Sequence, residues 1–126
     1  MKLLDSNILI YAAESGQEAL RERILAEPAG VSVATMVEVL GWHLLTHEEE
    51  SDLRALLNEL IVFPTDIVVA ERAVTLRQQR KMGLGDAIIA ATALVHQCPL
   101  VTRNVDDFKH IAGLNLENPF EAKEDA

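Results

Sequence analysis

GLGDAIIAATALVHQCPLV, Gly83 to Val101, decides the fold. After the polar Asp86 the chain is almost continuously apolar as far as Val95. A helix that is apolar on most sides is a buried one, and Asp86 reads as its polar cap. Gly83 and Gly85 punctuate the chain just before it. Pro99 to Val101 then reads as a short buried strand. A buried helix feeding a buried strand is the local pattern of α/β folds, in which helices cover both faces of a parallel sheet.

The same alternation extends outward. Downstream, Leu114 to Leu116 is a possible fifth strand. Upstream, Asp66 is placed to cap a helix through Val69, Ala73, Leu76 and Arg80, and Ile61 to Phe63 is a strand closed by Pro64. Glu48 to Leu60 reads as a helix with acids in its first turn, which suits the positive end of the helix dipole. From Ala34 onward a helix carries Met36, Val37, Val39, Leu40, Leu44 and Leu45 on a broad apolar face. Val31 to Val33 is the second strand. Gln17 to Ala26 is an amphipathic helix ended near Pro28, and Lys2 to Asp5 is the first strand. In sheets of this kind ligands bind beyond the C-terminal strand ends, so those ends are where chemistry is sought.

Composition narrows the classes. The 126 residues suit one domain. A net charge of −9 excludes an overall basic coat for nucleic acid but not a local basic face. The single cysteine, Cys98, excludes an intrachain disulfide and a cysteine-based zinc site, and is compatible with a cytoplasmic location. The N-terminal apolar stretch is interrupted at Asp5, Ser6 and Asn7, unlike a signal peptide, and no run is long enough to span a membrane.

Five acids stand in unusual company. Asp5 ends the first strand, where a helix cap is the plain alternative. Glu38 lies in MVEVL, where a narrow solvent-facing stripe is the alternative. Asp86 heads the most apolar helix, and Asp106 and Asp107 follow the strand in LVTRNVDDF. Singly each is ordinary. Together, at one sheet edge, they would repel one another unless a cation compensates. Oxygen-only ligands suit Mg²⁺ or Mn²⁺, and the matching chemistry is phosphodiester hydrolysis.

LLDSNILIY (Leu3–Tyr11), SVATMVEVL (Ser32–Leu40), GLGDAIIAATAL (Gly83–Leu94), LVTRNVDDF (Leu100–Phe108) and GLNLENP (Gly113–Pro119) occur in that order over nearly the whole chain. In this the sequence resembles the PIN-domain ribonucleases, most nearly the VapC-type toxins of bacterial toxin–antitoxin pairs. The resemblance implies a three-layer α/β/α sandwich around a parallel sheet of four to five strands. It covers the single nuclease domain expected over residues 1–120, and the charged stretch over 121–126 reads as a frayed tail. It places metal-binding and catalytic acids at Asp5, Glu38 and Asp86. Asn104 and Asp107 share the fourth position. Asn104 supplies no charge, which favours one tight ion with a second joining when substrate phosphate adds charge. Ser6 and Thr102 look like hydroxyls that orient the acids or bound water. The implied reaction is endonucleolytic cleavage of RNA to a 5′-phosphate and a 3′-OH. The implied partners are a second copy of the chain and a VapB-like antitoxin, whose DNA-binding half is separate from the segment that plugs the acidic pocket.

Other features weigh less. His43 and His47 have the i, i+4 spacing of a zinc pair on a helix, but HLLTH lacks the glutamate of the zinc-protease motif. Cys98 reads as a small core residue, and Gly83-Leu84-Gly85 lacks the lysine of a phosphate loop. From Arg72 to Arg103 there are five basic residues against one acid. Of these Arg80, Lys81 and Arg103 are nearest the acid-bearing motifs and are expected to contact RNA phosphates. Trp42, Tyr11 and Phe108 are expected in the core. A catalytically silent PIN fold is one alternative, opposed by the retained acids. A nuclease acting on DNA or processing RNA outside a toxin–antitoxin pair is the other, and the small size opposes a large processing enzyme. The helical residues between Ser32 and Leu60, notably Val37, Leu40, Leu44 and Leu45, are expected to form part of a dimer or antitoxin contact.

Overall fold

Leu3 and Leu4 are neighbours in sequence and serve opposite cores. Successive side chains of a strand point to opposite faces, so two adjacent leucines with no exposure mean a strand covered on both sides. That strand is β1 (Lys2–Leu4) in a computed structural model that describes residues 1–120. The tail expected over 121–126 lies outside the described residues. Leu100 and Val101, which form β4, divide in the same way.

Three further strands complete the sheet: β2 (Ala29–Ser32), β3 (Ile61–Phe63) and β5 (Leu116–Glu117). The order is β3-β2-β1-β4-β5, and every pairing is parallel. Leu3 pairs with Gly30 on one side and with Leu100 on the other. The helices are α1 (Ser6–Ala13), α2 (Glu18–Leu25), α3 (Val33–Leu40), α4 (His47–Leu57), α5 (Ile67–Gln79), α6 (Leu84–Val95) and the single turn α7 (Val105–Phe108). One core joins α5 and α6 to Leu3, Leu100, Phe108 and Ile111. The other joins α1, α2 and α4 to Leu4, Val31 and Val101. The result is a three-layer α/β/α sandwich. Burying one leucine of this kind contributes about 2 kcal/mol, before cavity effects.

The strand order reverses direction between β1 and β4, since β2 and β3 lie on one side of β1 and β4 and β5 on the other. That switch point leaves a crevice beyond the strand ends, and the crevice is where the acids gather.

Several boundaries differ from the sequence reading. β2 ends at Ser32, because its hydroxyl caps α3 by accepting from the Ala34 N–H, so Val33 is already helical. The helix expected through Leu45 ends at Leu40. Gly41 follows it, and a Cβ there would press on the Val37 carbonyl oxygen at 2.5 Å. Thr46 and Glu49 then form a capping box that starts α4 afresh. His43 therefore lies in the connecting turn and His47 begins α4, so the two do not share a helix face. α4 ends at Leu57 rather than Leu60. The fifth strand is Leu116–Glu117 rather than Leu114 to Leu116. Phe108 and Cys98 are in the core as expected, but Trp42 is 51% exposed. Tyr11 is half-buried at the surface.

Candidate active site

Asp5 follows β1 and caps α1: its Oδ1 accepts the Ser6 N–H at 2.7 Å. Its Oδ2 accepts the Thr102 hydroxyl at 2.8 Å, across the switch point from the end of β4. The residue is 5% exposed. Burial pushes its carboxyl above the ordinary range. The Thr102 and Ser6 hydrogen bonds pull it back, and the charge of Asp107 adds to the upward push. The plain alternative read from the sequence, a helix cap, is therefore realised, and the same carboxylate also feels the charge of Asp107.

Thr102 is fully buried and takes both roles a hydroxyl has. It donates to Asp5 and accepts the Asn104 N–H at 3.0 Å. The Asn104 side chain makes no cap bond and is exposed. Glu38 sits on α3, exposed, one turn beyond the buried Thr35. The Ser6 hydroxyl lies 3.3 Å from both Glu38 Oε1 and Thr35 Oγ1, and its one proton serves one of them at a time.

Asp86 is not the cap of α6. Gly83 is the cap residue, and Asp86 stands in the first turn with Gly85 inside the helix before it. Its carboxyl is raised first by burial, then by the charges of Asp5, Asp107 and Glu38. All of these influences act upward, whereas Asp5 is partly relieved by its bonds. The helix dipole favours an anion at this position, and the acid is raised nonetheless. Gly85 has its own reason: a Cβ there would meet the Glu38 carboxylate at 2.9 Å. The missing side chain lets α6 and α3 come together.

Four carboxylates therefore act on one another electrostatically at the switch point. Among the described residues none of the four has a Lys, Arg or His partner. Asp106, by contrast, turns outward and pairs with Lys109 at 2.9 Å. The donor chemistry fits a hard divalent cation, with carboxylate, hydroxyl and amide oxygens and no nitrogen or sulfur. Among the described residues no three His, Cys, Asp or Glu side chains close tightly enough to grip an ion as they stand. Asp5 is held by its two bonds, so closure would come from Glu38 and Asp107, which are exposed.

The basic candidates divide. Arg80 and Lys81 are exposed beyond the end of α5, where Lys81 lines a groove with Val74, Leu84 and Ile88. Arg103 is adjacent to Thr102 and donates from Nη1 to the Tyr11 hydroxyl at 3.2 Å. Two features escaped the sequence reading. Thr35 and Gly85 touch Glu38 or its partner, and their only sequence signal is small size beside an acid-bearing turn. A 640 Å³ groove also runs from Ser6 and Glu38 past Ile10, Trp42 and Leu45 between α1, α3 and α4.

The profile of the PIN domain matches residues 2–114. Ribonuclease VapC10 of Mycobacterium tuberculosis is 34% identical over 117 residues, 86% of each chain. A toxin–antitoxin complex from Klebsiella pneumoniae contains a chain 35% identical, with a TM-score of 0.78, over 97% of this chain and 100% of that one. VapBC2 of Rickettsia felis, bound to promoter DNA, superposes with a TM-score of 0.79 at 23% identity over 93% and 97% of the two chains, a likeness of fold. With the parallel sheet, the order of its strands and the acids at its switch point, these matches establish that the chain belongs to the PIN-domain family.

Proposed function

We propose that this chain is a divalent-metal-dependent endoribonuclease, acting as the toxin of a toxin–antitoxin pair. The observation that carries the reading is the cluster of Asp5, Glu38, Asp86 and Asp107, whose mutual charge has no cation to offset it among the described residues. A ribonuclease 34% identical and a chain of a toxin–antitoxin complex 35% identical support the RNA and toxin parts.

Asp5, Glu38 and Asp86 would hold Mg²⁺ or Mn²⁺, with Asn104 and Asp107 completing the set. Such an ion supplies Lewis acidity toward water and phosphate oxygens. The chain's own residues supply position. Asp5 is fixed by the Ser6 N–H and the Thr102 hydroxyl, so one carboxylate is pre-aimed. Ser6 steadies Glu38, which retains freedom to move. Asp86 accepts no hydrogen bond among the described residues, and burial and the neighbouring charges all act against its own charge, which favours a cation there. The domain spans residues 1–120. The chain works in the cytoplasm, and among the described residues no helix is long and apolar enough to cross a membrane.

The partner reading rests on apolar surface. Val37 is 66% exposed and Leu44 62%, beside the groove that opens at Glu38. An antitoxin segment lying there brings an Arg or Lys within reach of the acids, and a guanidinium pairs bidentately with carboxylates. Its other half binds DNA. A second apolar face, Ile67, Val68, Val74 and Leu84 with Ile67 72% exposed, is available to a second copy. The test is to sequence RNA 5′ ends after brief expression of the chain beside its Asp5→Asn variant. New ends in the wild type alone support the reading. Identical ends in both contradict it and favour a silent PIN fold.

A further inference from the structure

Arg103 follows Thr102, the residue that holds Asp5, and pairs with no acid among the described residues. Its guanidinium carbon lies 5.5 Å from the centroid of the Tyr11 ring and 5.0 Å from that of Phe120. The two rings meet edge to face at 5.4 Å and 70°. One N–H goes to the Tyr11 hydroxyl at 3.2 Å. The other arginines with described partners lean on carboxylates or main-chain carbonyls: Arg21 on Glu18 and the Ala12 carbonyl, Arg23 on the Pro119 carbonyl, Arg54 on Glu50 and Arg77 on the Met82 carbonyl. Aromatic rings hold a guanidinium by its face without neutralising it, and leave most of its five N–H donors along the rim.

Position gives this cation a use. Arg103 is next in sequence to Thr102, whose hydroxyl holds Asp5. Its anchor Tyr11 lies five residues beyond Ser6 on α1, which is about 7.5 Å along the helix from the acid end. In a chain of net charge −9, a polyanion approaching a carboxylate pocket needs a fixed positive point beside it. We infer that Arg103, braced by Tyr11 and Phe120, is a clamp for an RNA backbone phosphate within a nucleotide or two of the cleaved bond. Tyr11 and Phe120 are positioning residues: they fix the fork and themselves read no base. The inference rests on the ribonuclease reading and names a subsite of that same active site.

The test is fluorescence anisotropy with a short, labelled, mixed-sequence single-stranded RNA in Mn²⁺, across a salt series. The Asp86→Asn background is used to prevent cleavage, and circular dichroism confirms folding of each variant. Arg103→Gln should raise Kd about 5- to 10-fold and make the log Kd–log salt slope shallower by about 0.7, as for one lost phosphate contact on a single strand. Arg103→Lys should keep the slope and lose part of the affinity, because it retains the charge without the fork. Phe120→Leu should weaken binding about threefold at unchanged slope, by loosening a charge that remains. The double variant Arg103→Gln/Phe120→Leu should bind no worse than Arg103→Gln alone. Wild-type affinity and slope in Arg103→Gln would overturn the clamp and leave the cluster as a lock on the Phe120 segment. Additive losses in the double variant would overturn the bracing. If the wild type neither binds nor cleaves RNA, the ribonuclease reading itself fails, which is a different result from a silent Arg103 in an active nuclease.

Discussion

Asp5 and Asp86 stand at the starts of two helices and are used in opposite ways. Asp5 precedes α1 and is its cap, so both its oxygens are engaged, by the Ser6 N–H and the Thr102 hydroxyl. Asp86 sits inside the first turn of α6, whose cap residue Gly83 contributes no side-chain bond. Burial raises both carboxyls, but only Asp5 has bonds that lower it again. One acid is locked and partly satisfied. The other is crowded by three like charges. In the proposed function Asp5 would be the fixed ligand that sets geometry and Asp86 the crowded one that drives cation uptake.

Replacing each acid separates the two roles. Asp5→Asn and Asp86→Asn should both lower RNA cleavage by more than about 100-fold, beyond the usual cost of losing an outer-shell partner. Their melting temperatures in chelator should move in opposite directions. Asp86→Asn removes a repelled charge and should melt higher than wild type. Asp5→Asn places an NH₂ against a donor and should melt lower. Calorimetry on the three proteins checks this.

Thr102→Val sharpens the comparison by attacking the lock alone. It removes the hydroxyl from Asp5 and the acceptor from the Asn104 N–H. The expected cost is about 2 kcal/mol in urea unfolding, with a roughly 10- to 100-fold loss of cleavage. An equal loss of stability in Thr102→Val and Thr102→Ser would show that the hydroxyl is not the holding group.

Acidity gives a third test. Both acids ordinarily titrate near 3.8 and are raised in the folded chain. The native state therefore binds more protons than the unfolded state between that value and the raised ones. Stability contributed by these groups is greatest in acid and falls as pH rises through that window. In chelator the melting temperature should fall as pH rises from 3.8 through the raised values, and Asp86→Asn should flatten the fall. A smaller effect is expected at Gly85→Ala. The added methyl displaces the flexible end of Glu38, so stability should change little while Mn²⁺ affinity drops about tenfold, read by titration calorimetry.

What was legible in the sequence is what local physics controls. KLLD puts an acid after an apolar strand, and Asp66 caps a helix that the next residues extend. The apolar helix after Asp86 is buried because nearly all of it has to be. Contacts between distant segments were not legible. Gly85 looks like punctuation until α3 places Glu38 against it. Arg103 meets Phe120 across 17 positions with no periodicity to announce it. The apolar run through Leu45 looked like one helix, because a periodicity count does not register Gly41 and the capping box at Thr46. The pairing of His43 with His47 dissolved for the same reason.

The central claim is that the acids at the switch point pair with no cation among the described residues and gain stability from a divalent one. The direct measurement is the melting temperature of wild type and Asp86→Asn, each in EDTA and in millimolar Mn²⁺. The account predicts a crossing: the variant melts higher in EDTA, and the wild type melts higher in Mn²⁺, by an amount equivalent to about 2.7 kcal/mol at a hundred times Kd. Equal shifts in both proteins, or a wild type that is already the more stable in EDTA, would contradict it.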